Sequence, residues 1–248
     1  MSLFSRLIKN HQPRPLAADS GGTVPATGRV PDGLVSLTKK AAVSLTKHGL
    51  TGQRAAVQLV LDHSGSMTGF YHDGSVQRLA EQALALSVNL DDDGSVPLTY
   101  FGSRATPAAP VSLTDYKGII HRTHTKVAWG STNYVAALNT AVEQHVATGT
   151  TLPGLVIFQT DGAPDDRAAA AEALREASTL PIFWAFIGFG HNIHFLERLD
   201  DLSGRAVDNA SFFHAADPQR VSDEELLDGI TSQYRDWLTA ATAAGILQ

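Results

Sequence analysis

AAVQLVLDHSGSM, residues 55–67, decides how the rest of the chain is read. AAVQLVL (55–61) is apolar but for one glutamine and runs straight into Asp62, His63, Ser64, Gly65 and Ser66. A short apolar run bounded by turn residues predicts a buried strand. A buried strand ending in an acid and two hydroxyls aims hard oxygen atoms at one spot. The natural occupant of such a spot is a hard cation. Magnesium takes about six oxygens at roughly 2.0–2.1 Å and keeps some of its waters. One carboxylate and two hydroxyls supply half of that shell and leave room for a ligand from outside. The stretch therefore points to a metal-dependent binding protein before it points to an enzyme.

Outward from this strand, apolar runs and helical stripes alternate. Strands are expected at 55–61, 95–101, about 106–111, 154–160, 181–188 and 210–214. Three of them, 55–61, 154–160 and 181–188, are nearly continuous in apolar character, as central parallel strands covered on both faces are. Between them Val76, Leu79, Ala80 and Ala83 make one helical stripe. Val135, Leu138, Val142 and Val146 make a second, Ala170, Leu174 and Ala177 a third, and Phe195, Leu196 and Leu199 a fourth. A last helix is expected from about 222 to 240, burying Leu226, Leu227, Ile230, Tyr234 and Trp237. The alternation predicts an α/β fold: a doubly wound, Rossmann-like, mostly parallel six-stranded sheet with helices on both faces. Such sheets bind ligands beyond the carboxyl ends of their strands, where strand order reverses.

Three of those ends carry oxygen donors. The first has Asp62, Ser64 and Ser66, and the fourth has Thr160, Asp161 and Gly162. Between them WGSTNY (129–134) leads into a helix beginning near Asn133, with Thr132 at its amino end. If the strands of Asp62 and Asp161 are neighbours, Asp62, Ser64, Ser66, Thr132 and Asp161 converge on one rim. Each residue alone also has a plain role: a turn, a cap or a loop. Their order and placement favour the metal reading.

DHSGSM (62–67), GSTN (130–133) and TDG (160–162) resemble the three loops of the von Willebrand factor A domain. The resemblance covers about residues 53–240. It implies a metal-ion-dependent adhesion site in which Asp62, Ser64, Ser66, Thr132 and Asp161 hold one Mg²⁺, with Asp161 acting through water and Mn²⁺ or Ca²⁺ as alternatives. The remaining position would take an Asp or Glu of a protein partner. GLTGQRAAVQLVLD (49–62), LDDDGSVPLTYFG (90–102) and two VSLTK copies (35–39 and 43–47) resemble the module at the carboxy terminus of the tellurium-resistance protein TerF. That implies a bacterial stress system, with other Ter-family proteins among the partners. The VSLTK element is similar to the opening of a TerD-type domain.

The remaining sequence sets bounds. Acids outnumber bases 25 to 19, for a net charge of −6, which argues against nucleic acid as a partner. The absence of cysteine excludes disulfides and thiolate chemistry. The start MSLFSRLIKN has too short an apolar run for a secretory signal. PIFWAFIGFG (181–190) is about half the length of a membrane span. A cytoplasmic location with no stable membrane span is expected. Residues 1–33, rich in proline and glycine, are expected to form a disordered tail, 34–52 a repeat segment, and 53–248 the domain. The VSLTK segment alternates like a short strand, yet Leu37, Ala41 and Leu45 also sit at helical spacing, and Gly49 is expected to end it.

Other candidates carry less. Asp91, Asp92 and Asp93 could bind a second cation, but the chain enters a strand at once, and a solvated acidic turn is the better reading. His121, His124, His191 and His194 read as loop or rim residues, because no further zinc ligand is placed beside them. His63 and His72 read as exposed loop residues, with a place lining the metal site as the alternative. Ser64 lacks the Gly-x-Ser-x-Gly elbow of an acyl-transfer nucleophile. A metal-dependent hydrolase of the phosphoesterase kind, using the same five residues, is the alternative from a different class.

Overall fold

A computed structural model describes residues 29–91 and 93–247. The elements run α1 (Asp32–Lys47), β1 (Ala56–Asp62), a 3-10 turn (Gly65–Met67), α2 (Thr68–His72), α3 (Ser75–Leu90), β2 (Ser95–Phe101), β3 (Ala105–Ser112) and α4 (Ile119–His124). They continue with α5 (Tyr134–Ala147), β4 (Gly154–Thr160), α6 (Arg167–Ala177), β5 (Ile182–Phe189), α7 (His194–Asp200), β6 (Ala210–Ala215), α8 (Asp223–Thr231) and α9 (Tyr234–Ala243). All six expected strands form. They build one sheet in the order β3-β2-β1-β4-β5-β6, parallel except for β3, which runs antiparallel to β2. The fold is the doubly wound α/β sheet that the alternation predicts.

Side chains alternate across a strand, so a strand buried on both faces is apolar at nearly every position; Gln58 in β1 and Gln159 in β4 are buried polar exceptions. In β1, Val57, Leu59 and Leu61 join a core beneath α1, α3, α8 and α9, while Val60 faces the core beneath α5, α6 and α7. β4 divides in the same way, Leu155 and Ile157 to the first core, Val156 and Phe158 to the second. The edge strand β3 is half exposed, carries Pro107 and Pro110, and changes register opposite Val96 and Leu98. Proline is tolerated there because an edge strand can forgo a donor.

The segment whose local structure was open is helical. Leu34, Ala41, Ser44 and Leu45 are buried against α3 and α8, a three-to-four spacing that only a helix places on one face. Gly49 lies just beyond its end, at φ 68°. The helix starts at Asp32, inside the stretch expected as tail; the rest of that tail, 1–28, lies outside the described residues, as does Asp92.

α1 is fastened to α8 by charge. Lys40 Nζ lies 2.9 Å from Asp223 and 3.2 Å from Glu224, and Lys47 Nζ 2.5 Å from Asp228. Ser44 Oγ donates to Asp228 at 2.7 Å. Arg78 and Gln82 of α3 reach the same Asp223 oxygen, at 2.7 and 2.9 Å. Burial would push the Asp223 carboxyl up, but hydrogen bonds from Lys40, Arg78 and Gln82 outweigh it and hold the group at about 2.

The single last helix is a correction: the chain breaks at Ser232 and Gln233 into α8 and α9. Thr231 Oγ1 donates to the Leu227 carbonyl at 2.9 Å and Ser232 Oγ to Gly229 at 3.3 Å, local bonds that compete with the helical ladder. Leu226, Leu227, Ile230, Tyr234 and Trp237 are all buried as expected. The α5 stripe holds in part: Leu138 and Val142 are buried, whereas Val135 and Val146 are half-buried and Tyr134, Ala137 and Ala141 complete the inward face.

Candidate functional site

Strand order reverses between β1 and β4, which pair in parallel from Ala56↔Gly154 to Leu61↔Gln159. Asp62 closes β1 and Asp161 follows β4, so both acids stand at the switch point. Asp62 is fully buried. Its Oδ1 accepts from the Ser64 amide at 2.7 Å and its Oδ2 from the buried Thr160 hydroxyl at 2.5 Å. Tyr71 donates to the Asp62 carbonyl at 2.8 Å and fixes the backbone beneath the acid.

The hydroxyls connect the two acids. Ser64 Oγ and Ser66 Oγ are 3.2 Å apart, and Ser66 Oγ donates to Asp161 Oδ1 at 2.9 Å. Adjacent corners of an octahedron with bonds of about 2.1 Å are about 3.0 Å apart. Ser64 Oγ and Ser66 Oγ are therefore already spaced about as neighbouring ligands of a small hard cation would be, and Asp161 is held beside them by its bond from Ser66. Thr132 lines a cleft of about 390 Å³ together with Ser66 and Asp161, and Phe70 and His191 stand on its wall. Among the described residues neither Asp62 nor Asp161 has a Lys, Arg or His partner. Burial pushes the Asp62 carboxyl up to about 6 despite the Thr160 and Ser64 hydrogen bonds, and Asp161 nearby adds to the rise. Asp161 is raised by burial as well, against the bond from Ser66. Two acids held without a counter-charge and flanked by hydroxyls, with no sulfur or imidazole among them, suit Mg²⁺, Mn²⁺ or Ca²⁺ by ligand hardness. No group of three or more His, Asp or Glu poised for a metal occurs among the described residues; the side-chain oxygens beside these two acids are hydroxyls.

The loop carrying Thr132 is stitched to both acid loops. Gly130 N donates to the His63 carbonyl at 3.1 Å, and Asn133 N to Gly102 at 3.0 Å. A Cβ on Gly130 would meet the Ser103 backbone nitrogen at 2.4 Å, so glycine is required for the approach. Asn133, not Thr132, caps α5 by accepting from the Ala136 amide at 3.0 Å. Asp165 holds the other side: it accepts from the Thr132 amide at 3.1 and 3.2 Å and from Ser131 Oγ at 2.6 Å. Sequence reasoning missed Asp165; the acid pair in DGAPDD (161–166) is its only signal.

His63 is not loop filler. It is buried, with its ring stacked on Trp129 at 3.8 Å and 4° and Nε2 3.3 Å from His124 Nδ1. Burial holds it neutral, near 4. His72 is exposed and does not line the cleft; His191 does, and His194 pairs with Glu197.

Residues 54–247 match the family described as the von Willebrand A domain found in the TerF C terminus. The chain belongs to that family. An uncharacterized protein of Bacillus subtilis (strain 168), YcbR, is 31% identical over 221 residues, covering 86% of this chain and 90% of the relative. Among solved structures, the von Willebrand A domain of SpRpn10 matches with a TM-score of 0.50 at 13% identity, over 73% of this chain and 95% of that one. Proximal thread matrix protein 1 of the mussel byssus, with a zinc-occupied MIDAS motif, matches with a TM-score of 0.48 at 16% identity, over 77% of this chain. The chain spans about half of the mussel protein's length, 50%. The family match and the likeness to SpRpn10 establish the von Willebrand A fold. No helix among the described residues is long and apolar enough to cross a membrane.

Proposed function

We propose that this von Willebrand A domain is a metal-ion-dependent protein-interaction module. Asp62, Ser64, Ser66 and Thr132 would hold one Mg²⁺, Asp161 would act through water, and an Asp or Glu of a partner protein would complete the shell. The observation that carries this is that Ser64 Oγ, Ser66 Oγ and Asp161 Oδ1 follow one another at 3.2 and 2.9 Å beside the buried Asp62, with no ion pair to either acid among the described residues. When bound, the cation supplies a net attraction for an incoming carboxylate, which displaces a metal-bound water. The chain's own part is to fix the oxygens. Thr160 and the Ser64 amide orient the Asp62 carboxylate, and Asp165 steadies the backbone of Thr132. Membership of the TerF type supports a setting in bacterial tellurium resistance or a related stress response, in the cytoplasm, with Ter-family proteins as partners.

Isothermal titration of Mg²⁺ and Mn²⁺ into chelator-treated protein tests the reading. One site is expected in the wild type and none in Asp62→Ala or Asp161→Ala. Unchanged affinity in both variants rejects it. The hydrolase alternative is tested on chromogenic phosphoesters: metal-dependent turnover that vanishes in Asp161→Ala would replace the binding reading.

A further inference from the structure

A second cleft, also of about 390 Å³, opens beside the first between the β2–β3 turn and the loop before α5. Ser103, Arg104, Lys126, Trp129 and Gly130 line it, and no acid does. Arg104 and Lys126 are exposed and make no ion pair among the described residues. In a chain of net charge −6 this is a local island of positive charge. Trp129 is 42% exposed, one of two large apolar side chains so exposed among the described residues. Its ring does not swing freely, because it is stacked on the buried His63. Gly130 lines this cleft and Thr132 lines the other, so one loop forms a wall of both. Two residues of extended chain span at most about 7 Å.

We propose that this cleft is the second half of the docking surface and takes an acidic segment of the same protein partner whose carboxylate reaches the metal. The inference rests on the metal reading above and adds the chemistry that selects the partner. An extended peptide of about four to six residues crosses the shared loop, with one carboxylate in the Ser66, Thr132 and Asp161 cleft. A second acid meets Arg104 and Lys126, and a neighbouring side chain lies on the Trp129 indole. Paired cations beside an exposed indole also suit single-stranded nucleic acid. The acidic peptide is favoured because the metal position proposed above takes a carboxylate and one loop walls both clefts, so a single chain carrying two acids meets both at once.

Trp129 reports on its own cleft. The other two tryptophans, Trp184 and Trp237, are 0% and 2% exposed, so acrylamide quenching reads Trp129. The probes are acetylated hexaglutamate and hexathymidylate, each titrated in Mg²⁺ and in EDTA. Hexaglutamate should shield Trp129, more tightly in Mg²⁺. The double reversal Arg104→Glu with Lys126→Glu should weaken it at least about tenfold in both conditions while the protein keeps its Mg²⁺ affinity and melting temperature. No shielding in Mg²⁺, an unchanged double variant, or tighter binding of hexathymidylate overturns the proposal. The two readings fail separately. If the reversal weakens hexaglutamate but Mg²⁺ makes no difference, the cleft stands and the metal site falls. If Asp161→Ala removes the Mg²⁺ effect while the reversal changes nothing, the metal site stands and the cleft falls.

Discussion

Asp62 shows how a residue can work against the fold that holds it. Its carboxyl is raised from 3.8 to about 6, mainly by burial. For an acid with a raised folded value, the folded state is favoured while the proton stays on. That benefit is complete below about 4 and is lost as pH rises through about 6. The melting temperature of EDTA-treated wild type should therefore fall between pH 4 and pH 7 relative to Asp62→Asn. A difference of about 2–3 kcal/mol corresponds to the shift. Parallel pH profiles of the two proteins would show that Asp62 is not strained. Gly130→Ala is the second prediction at this scale. The added Cβ meets backbone, which cannot swing aside, so Mg²⁺ affinity should drop and stability fall by about 1–3 kcal/mol by calorimetry. The placement of Asp62, Ser64, Ser66, Thr132 and Asp161 at strand ends and a helix start was legible because apolar runs and helical stripes mark where those elements end and begin. Asp165 and the buried His63 were not, since each acts through a contact made across the fold: Asp165 with the Thr132 loop, His63 with Trp129 and His124.

At the scale of elements, α1 and α8 are joined by two acids that each serve several donors. Asp223 is held at about 2, so its contribution is present above the ordinary value of 3.8 and is lost as pH falls through about 2. Asp223→Asn should destabilise the protein by about 1–2 kcal/mol at pH 7, a penalty that shrinks toward pH 2 in urea titrations. Asn133→Ala removes the α5 cap and should cost about 1 kcal/mol. Because the cap lies next to Thr132, it should also weaken Mg²⁺ binding; titration that leaves the affinity untouched would separate cap from site. The strands were easy to place, their apolar runs being unambiguous in a sheet covered on both sides. The helix over VSLTK was ambiguous because its pattern fits a period of two as well as 3.6, and only docking on α3 and α8 selects one. The break at Ser232 was missed for a related reason: the apolar stripe continues across it, and Thr231, whose hydroxyl bonds back to Leu227, is itself buried on the inward face and does not interrupt the pattern.

For the whole molecule, the matched family region begins at residue 54, yet α1 lies ahead of it and covers part of the first core. The 86% of the chain shared with YcbR is more than 54–247 makes up, so the likeness continues into the residues ahead of 54. A protein starting at residue 54 should melt well below one starting at residue 29 and should bind a dye for apolar surface, because Leu34, Ala41 and Leu45 no longer cover α3 and α8. Equal melting temperatures would make α1 an accessory. The opposite flank has its own logic. Pro107, Pro110 and the register change leave β3 a poor template for another strand. Edge-to-edge pairing between copies of this chain is disfavoured along that margin, so a contact made there must be gripped by side chains and not by backbone.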